Sequence, residues 1–370
     1  MKNNYKSALQ IQDGIEQPAQ VNPYFDFSQV KRTAVLSERE YIEGILSGNK
    51  MILSKAITLI ESSLQKHHDL AQSILEACIP HSGNAVRIGI TGVPGAGKST
   101  FIEAFGKHLT ERGHKLAVLA IDPSSERSKG SILGDKTRME ELSVDAHAFI
   151  RPSPSACSLG GVARKTAETL ILCEAAGYDV VFIETVGVGQ SETAVHNMVD
   201  FFLLLMISGA GDELQGIKRG IMEMADAIVI NKADGDNVKK AELTRIQLTS
   251  ALRLFPPAQS DWKPPVILAS ALYKSGMDEI WQIINQYRQQ TTQSGFFEQN
   301  RVRQLKERFN AFMQEELLDN FYENPQVKQA IEQLQQQITD KKINPYTAGK
   351  NVLDKYLKLI ENGEKRMKNE

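Results

Sequence analysis

The segment Gly92-Val-Pro-Gly-Ala-Gly-Lys98-Ser99 follows the pattern of a glycine, four residues of any type, and then Gly-Lys with Ser or Thr. It comes directly after a short apolar run, Val86–Thr91, and before a helical pattern from Lys98 to Arg112. In this context the glycines allow consecutive backbone N–H groups to turn toward a phosphate, and the start of the helix adds the positive end of its dipole. The segment therefore predicts a phosphate-binding loop between a strand and a helix.

This loop provides the first set of expected nucleotide contacts. We expect Lys98 to reach the β- and γ-phosphates, and the Ser99 hydroxyl to bind Mg2+. The predicted nucleotide-binding residues of the loop are Gly92, Val93, Pro94, Gly95, Ala96, Gly97, Lys98, Ser99 and Thr100.

Short apolar runs alternate with helical patterns from Ala85 onward, which is typical of repeated βα units and a mostly parallel sheet. Their near-continuous apolarity suits strands that helices cover on both faces. The sequence thus predicts an α/β fold, the three-layer P-loop NTPase fold, with about seven strands. The predicted strands are Val86–Thr91, Leu116–Ile121, Ala148–Arg151, Val180–Glu184, Phe201–Ile207, Ala227–Ile230 and Val266–Ala269.

The chain divides into four predicted segments. They are a polar leader (1–36), an N-terminal helical segment (37–84), the nucleotide-binding core (85–292) and a C-terminal helical region (293–370). In the last segment a break at Asn344-Pro345 starts a final helix, and an apolar stripe needs a surface to cover it. That surface is either the core or a second copy of the chain, and we favour dimerisation. The stripe comprises Val302, Leu305, Phe309, Phe312 and Met313.

Composition limits the function classes. Lys and Arg total 43 against 45 for Asp and Glu, so nothing indicates a nucleic-acid-binding protein. The cysteines Cys78, Cys157 and Cys173 show no paired spacing that would favour disulfides or a zinc site. No export signal is visible, and the most apolar run, Phe201–Ile207, is far shorter than the roughly 20 residues of a membrane span. We therefore expect a cytoplasmic protein without membrane or nucleic-acid partners.

A second motif predicts recognition of the base. The run Ala227–Ile230 leads into Asn231-Lys232-Ala233-Asp234, which has the Asn-Lys-x-Asp pattern of guanine recognition. The Asp234 carboxylate can accept hydrogen bonds from both N1–H and the exocyclic amine of guanine, and adenine offers neither pattern. We expect Asn231 to tie the loops together and the Lys232 stem to lie over the ring. Candidate backbone N–H donors to the guanine carbonyl oxygen belong to Ser270, Ala271 and Leu272.

Acidic residues around the predicted strand ends indicate a magnesium site. Glu184 begins Glu-Thr-Val-Gly187, where many P-loop GTPases have Asp-x-x-Gly, and its longer side chain suits contact with the metal through water. Asp122 and Asp135 could complete the shell, although each also fits an ordinary solvated loop charge. The predicted metal set is Ser99, Asp122, Asp135 and Glu184.

Two further loops carry the predicted switch and catalytic groups. We interpret 187–192 as a nucleotide switch, and 209–218 as a loop at the carboxyl edge of the sheet, with Asp212, Gln215 and Lys218 as switch residues. Val188, not Gln, follows Gly187, so we expect slow intrinsic hydrolysis that a partner accelerates. The predicted catalytic residues are Lys98, Glu184, Gly187, Arg138 and Gln190.

With these residues placed, the chain resembles the MeaB/ArgK group of GTPases, which includes the methylmalonic aciduria type A protein. The resemblance extends from about Ser37 to the C-terminus and rests on GVPGAGKST, AIDPSS, GDKTRM, ETVGVGQSE, GAGDELQGIK and NKAD. It implies a GTPase chaperone that gates adenosylcobalamin delivery to, and protects, an adenosylcobalamin-dependent acyl-CoA mutase such as methylmalonyl-CoA mutase. It also implies a homodimer formed through C-terminal helices, and it places the magnesium environment on the four residues named above.

Three other functions remain open. A metallochaperone GTPase that delivers nickel or zinc would need a His-rich stretch or a close Cys pair, and His67-His68 is the only adjacent His pair. A kinase associated with a transport system would place phosphate on an acceptor protein, whereas a GTPase releases it. A binding module without turnover would not need Lys98, Ser99 and Glu184 together.

Overall fold

Seven strands form a single sheet within the part of the chain that the computed structural model describes, residues 36–62, 64–121, 139–153, 159–185, 191–209 and 219–367. All seven predicted strands are present, and no end differs from its predicted position by more than two residues. The strands are β1 (Val86–Gly92), β2 (Leu116–Ile121), β3 (Ala148–Ser153), β4 (Val180–Thr185), β5 (Phe201–Ile207), β6 (Ala227–Asn231) and β7 (Val266–Leu268).

The sheet is parallel throughout, in the order β3-β2-β4-β1-β5-β6-β7. β1 lies at its centre, with β4 on one side and β5 on the other. Gly92 at the end of β1 pairs with Leu205, and Ile207 at the end of β5 pairs with Asn231. The phosphate loop and the base motif therefore start at the same edge of the sheet, where ligands bind in folds of this type.

Helices connect the strands and extend the chain at both ends. Those of the described residues are α1 (Glu38–Leu46), α2 (Lys50–Glu61), α3 (Gln65–Cys78), α4 (Lys98–Thr110), α5 (Glu140–Ser143), α6 (Leu159–Ala175), α7 (Ser191–His196), α8 (Arg219–Met224), α9 (Val238–Leu252), α10 (Met277–Gln293), α11 (Phe296–Glu323), α12 (Pro325–Thr339) and α13 (Pro345–Met367). The predicted break before Pro345 is confirmed.

Apolar side chains on both faces of the sheet are buried, as the continuous apolar runs predict. On one face, Ile88 and Leu203 belong to a cluster with Phe105 of α4 and Ile284 of α10. On the other face, residues of β5 and β6 pack with Met222 of α8 and with α9. Helices therefore cover the sheet on both sides, which confirms the three-layer α/β fold.

The N-terminal helices are attached to the core by lysine side chains that donate to carbonyl groups. Lys50 of α2 donates to the carbonyls of Asp145 (3.0 Å) and Ala148 (2.6 Å), next to and in β3. Lys165 of α6 donates to the carbonyl of Glu61 at 2.6 Å. A lysine ammonium at each junction thus provides a hydrogen-bond donor for backbone carbonyl groups.

Helix α11 has one face on the core and another exposed. The Arg301 guanidinium holds the Asp200 carboxylate with two bonds (2.8 and 2.7 Å), and the buried Gln304 amide donates to the carbonyl of Val199 at 2.7 Å. The apolar stripe lies on the exposed side, with Leu305 59% and Phe309 61% exposed. The tail therefore folds back on the core and still presents its stripe.

Residues Glu38–Glu370 form one compact unit. The predicted leader, residues 1–36, lies almost wholly outside the described residues, and the segment boundaries at 84/85 and 292/293 stay predictions. Among the residues described, no helix is both long and apolar enough to cross a membrane.

Candidate nucleotide site

The phosphate loop takes the backbone shape that its glycines allow. Gly95 and Gly97 have φ of +81° and +80°, in the left-handed region that is open to glycine and costly for other residues. Gly97 is also the N-cap residue of α4. A Cβ on Gly92 would collide with the backbone carbonyl oxygen of Leu205, so the first glycine is required by close contact with β5.

Lys98 lies at this loop, and two carboxylates act on it. Its Nζ donates to the carbonyl of Gly92 at 2.9 Å. Burial lowers the pKa of the Lys98 ammonium, while the negative charges of Glu184 and Glu192 act in the opposite direction. The predicted catalytic pair Lys98 and Glu184 is therefore close enough to interact.

Glu192 adds a buried acid that the sequence singles out only as the end of a switch loop. It stands in the first turn of α7 and is fully buried, and its charge acts on Lys98. A carboxylate is seldom buried unless it is paired or hydrogen-bonded. In the sequence, the string QSE marks Glu192 only as a residue at the start of a helix, and it does not show that the side chain is buried.

A pair of threonines joins the ends of β1 and β4. The hydroxyl of Thr185 donates to that of Thr91 at 2.8 Å, and both side chains are buried. This bond connects the strand before the phosphate loop with the strand that carries Glu184.

Asn231 joins the base motif to the phosphate loop and to the segment after β7. Its side-chain Nδ2 donates to the carbonyl of Ala96 at 2.8 Å, and its Oδ1 accepts from the N–H of Ala271 at 3.1 Å. The side chain is 1% exposed, so both bonds lie in the interior. Asn231 therefore links the phosphate loop to the segment after β7, as expected from the motif.

The Asp234 carboxylate stands beside the segment that follows β7. The hydroxyl of Ser270 donates to its Oδ2. The backbone N–H groups of Ser270 and Ala271, expected to meet the base, instead donate to the Ser275 carbonyl (3.2 Å) and to Asn231. Ser270 therefore contacts the Asp234 carboxylate through its hydroxyl.

Several predicted site residues lie outside the described residues, so the structure does not place them. They are Asp122, Asp135, Arg138, Gly187, Gln190, Asp212, Gln215 and Lys218. Within the described part, no group of three or more His, Cys, Asp or Glu side chains could hold a metal ion. Ser99 in the first turn of α4 and Glu184 in β4 are the two predicted metal residues that the structure does place.

Comparison with known proteins connects this site to a family. The family model described as methylmalonyl Co-A mutase-associated GTPase MeaB matches residues 53–326. The chain belongs to the MeaB family of GTPases. The match includes the phosphate loop, the base motif and the whole of α11.

Two relatives of this MeaB-family chain carry names that bear on function. GTPase ArgK of Escherichia coli is 47% identical over 308 residues, which cover 83% of this chain and 93% of the relative. The mouse methylmalonic aciduria type A homolog, a mitochondrial protein, is 46% identical over 312 residues, covering 82% and 75%.

A solved structure of a similar protein supports the fold of this chain. The crystal structure of a protein named LAO/AO transport system kinase is 39% identical, with a TM-score of 0.70, and covers 88% of this chain and 100% of that one. The resemblance to MeaB/ArgK GTPases and the α/β fold predicted from the sequence are both confirmed.

Proposed function

We propose that this MeaB-family GTPase binds GTP with Mg2+, hydrolyses it slowly alone, and acts as a chaperone for an adenosylcobalamin-dependent acyl-CoA mutase such as methylmalonyl-CoA mutase. In this role it gates delivery of the cofactor and protects the mutase. The description of the family and the name of the mouse relative support the mutase as the partner. The Asn231 bridge between the phosphate loop and the base segment carries the nucleotide part of the proposal.

Guanine recognition rests on Asp234. The Ser270 hydroxyl donates to one carboxylate oxygen, and the remaining lone pairs of the carboxylate can accept from the guanine N1–H and amine. The N–H groups of Ser270 and Ala271 donate within the protein, so we assign the contact with the guanine carbonyl oxygen to the N–H of Leu272. An adenine base has neither the N1–H nor the 2-amino group to donate to the carboxylate, which disfavours ATP.

The phosphate end is suited to in-line attack of water on the γ-phosphoryl group. The phosphate loop supplies backbone N–H groups, and Lys98 supplies a positive charge for the oxygens of the transferred group. Ser99 would bind Mg2+ directly and Glu184 through water, with Asp122 and Asp135 as further ligands. Mg2+ neutralises charge on the β- and γ-phosphates when it is bound. Attack forms one P–O bond and breaks the bond to the GDP oxygen, which releases phosphate.

Dimerisation and location are part of the same proposal. The exposed stripe of α11 offers large apolar side chains, and a second copy of the chain would cover them. We propose a homodimer through the C-terminal helices. We also propose a cytoplasmic location, although the mouse relative is named as mitochondrial.

The partner is tested by co-purification with each adenosylcobalamin-dependent mutase encoded in the same genome, with and without a non-hydrolysable GTP analogue. We expect one mutase to bind in a nucleotide-dependent manner and to raise single-turnover GTP hydrolysis by about tenfold or more. Lys98→Ala serves as the variant that loses nucleotide-dependent binding.

Two outcomes contradict the proposal. A hydrolysis rate of the protein alone that no mutase increases would remove the partner-activated step. Radiolabelled γ-phosphate recovered on an acceptor protein, rather than as free phosphate, would favour the kinase alternative, the activity for which the similar LAO/AO transport system kinase is named.

A further inference from the structure

Asn237 closes the short turn that follows the base motif, and its side chain does not act as a helix cap. The residue ends the 3-10 turn Gly235–Asn237 and directly precedes α9. Asn is a preferred N-cap residue, yet this side chain makes no capping hydrogen bond to the helix. Its amide is directed back toward the base motif instead.

The Nδ2 of Asn237 donates to the carbonyl of Lys232 at 2.7 Å. Lys232 has φ of +58°, in the left-handed region that is unfavourable for a residue with a Cβ. Lys232 follows Asn231, whose side chain donates to the Ala96 carbonyl, and precedes Asp234, whose carboxylate accepts from the Ser270 hydroxyl. The Asn237 amide thus restrains the carbonyl of a residue whose backbone conformation is unfavourable.

The amide oxygen of Asn237 contacts the residue that follows β5, the strand next to β6. Its Oδ1 accepts from the Ser208 hydroxyl at 2.7 Å. Ser208 directly follows β5 and precedes Gly209, which has φ of +84°. One side chain therefore connects the base motif with the end of β5, the strand that leads into the predicted switch residues Asp212, Gln215 and Lys218.

We propose that Asn237 is a positioning residue for guanine recognition, which holds the Lys232 turn and is itself oriented by Ser208. In this role Asn237 acts through the direction of the Asp234 carboxylate rather than through its own contact with the nucleotide. The inference rests on the proposed assignment of guanine to Asp234. Because the amide is fixed at both ends, a change at Ser208 alters base recognition from the far side of the turn.

The readout is discrimination between GDP and inosine diphosphate (IDP), which lacks the exocyclic amine. A correctly directed carboxylate gains one more hydrogen bond from GDP than from IDP. We expect Asn237→Ala to lower the GDP-to-IDP affinity ratio by about fivefold, and Ser208→Ala to lower it by about twofold. A purely structural role would weaken both nucleotides equally and leave the ratio unchanged.

The two positions are compared in a double-mutant cycle by calorimetric titration of the full chain. Because the Ser208 hydroxyl donates to Asn237, Ser208→Ala should have no further effect on the ratio in the Asn237→Ala background. Gln247→Ala removes an exposed amide from α9 and serves as the matched control, with an unchanged ratio. Ser208→Ala removes only one hydroxyl, so the affinity ratio of this variant still tests the proposal if Asn237→Ala does not fold.

Asp234→Asn, measured in parallel, separates the two assignments. If Asp234→Asn abolishes the GDP-to-IDP preference while Asn237→Ala and Ser208→Ala leave it intact, the role of Asn237 is refuted and the base assignment survives. Independent effects of Ser208 and Asn237 would refute the coupling between them. If Asp234→Asn has no effect on the preference, both the base assignment and the inference built on it are wrong.

Discussion

Replacement of Asn231 by Ala tests the bridge that holds the nucleotide loops together. The side chain is 1% exposed and makes two hydrogen bonds, to the carbonyl of Ala96 and from the N–H of Ala271. The first bond fixes the phosphate loop, and the second fixes the segment that carries Ser270. Asn231→Ala removes both partners at once and puts nothing in their place.

The expected cost follows from the two groups left behind. Each buried carbonyl or N–H without a partner costs about 1–3 kcal/mol, so the free energy of unfolding without nucleotide should fall by about 2–6 kcal/mol. The affinity for GDP should also fall, because the phosphate loop and the base segment then have to be ordered by the nucleotide itself.

Urea unfolding of the nucleotide-free protein and calorimetric titration with GDP measure the two effects. Asn285→Ala is the control, since that exposed amide donates to a helix carbonyl, that of Trp281, at 3.0 Å. We expect the control to change stability by no more than about 0.5 kcal/mol and to keep GDP affinity. The reasoning is refuted if Asn231→Ala behaves like Asn285→Ala in both measurements.

Two predictions concern regions away from the base motif. Burial raises the pKa of Asp145, but bonds from Lys107 (2.6 Å), the N–H of His147 (2.8 Å) and Thr110 (2.8 Å) outweigh it and lower that pKa to about 2. Since the ordinary value is 3.8, the stability from this carboxylate is complete above about pH 4 and is lost as the pH falls toward about 2. In urea unfolding, Asp145→Asn should therefore be less stable than the unmodified protein at neutral pH and nearly equal to it at about pH 2, and a difference independent of pH would contradict this. Arg301→Ala leaves the Asp200 carboxylate, which is 3% exposed, without its guanidinium and should reduce the free energy of unfolding by about 3–5 kcal/mol. The control, Arg303→Ala, removes an exposed arginine and should cost less than about 1 kcal/mol. Equal effects of the two variants would show that the contact between Arg301 and Asp200 is unimportant for stability.

The strands could be predicted because each is a continuous apolar run, and a parallel sheet covered on both faces requires that pattern. Their ends were less certain for a physical reason. β1 extends to Gly92 because that residue pairs with Leu205, and β6 extends to Asn231 because that residue pairs with Ile207. Sheet pairing between residues far apart in sequence, rather than local apolarity, sets these ends.

The nucleotide site was predictable only where a motif fixes both residue type and spacing. The phosphate loop and the base motif satisfy this condition, and Asn231 has the expected linking geometry. The burial of Glu192, the hydroxyl of Ser270 on Asp234 and the amide of Asn237 on Lys232 depend on contacts between separate elements. Contacts of this kind leave no periodic pattern in the sequence, so the structure was needed to find them.

For helix α11, too, one property was predictable from the sequence and another required the structure. Its spacing predicts a helix with one apolar side, and the helix is present from Phe296 to Glu323. The side that faces the core carries Arg301 and Gln304, polar residues that have buried partners at Asp200 and Val199. The large apolar side chains consequently remain exposed, against the usual expectation for a surface helix.

Guanine selection by Asp234 is the central claim, and titration of Asp234→Asn with GDP and with xanthosine diphosphate (XDP) tests it most directly. Xanthine carries a carbonyl oxygen where guanine has its amine, so an Asn side chain can donate where the Asp carboxylate could only accept. We predict that the unmodified protein prefers GDP and that the variant prefers XDP. Unchanged GDP affinity in the variant, without any gain for XDP, would contradict the account.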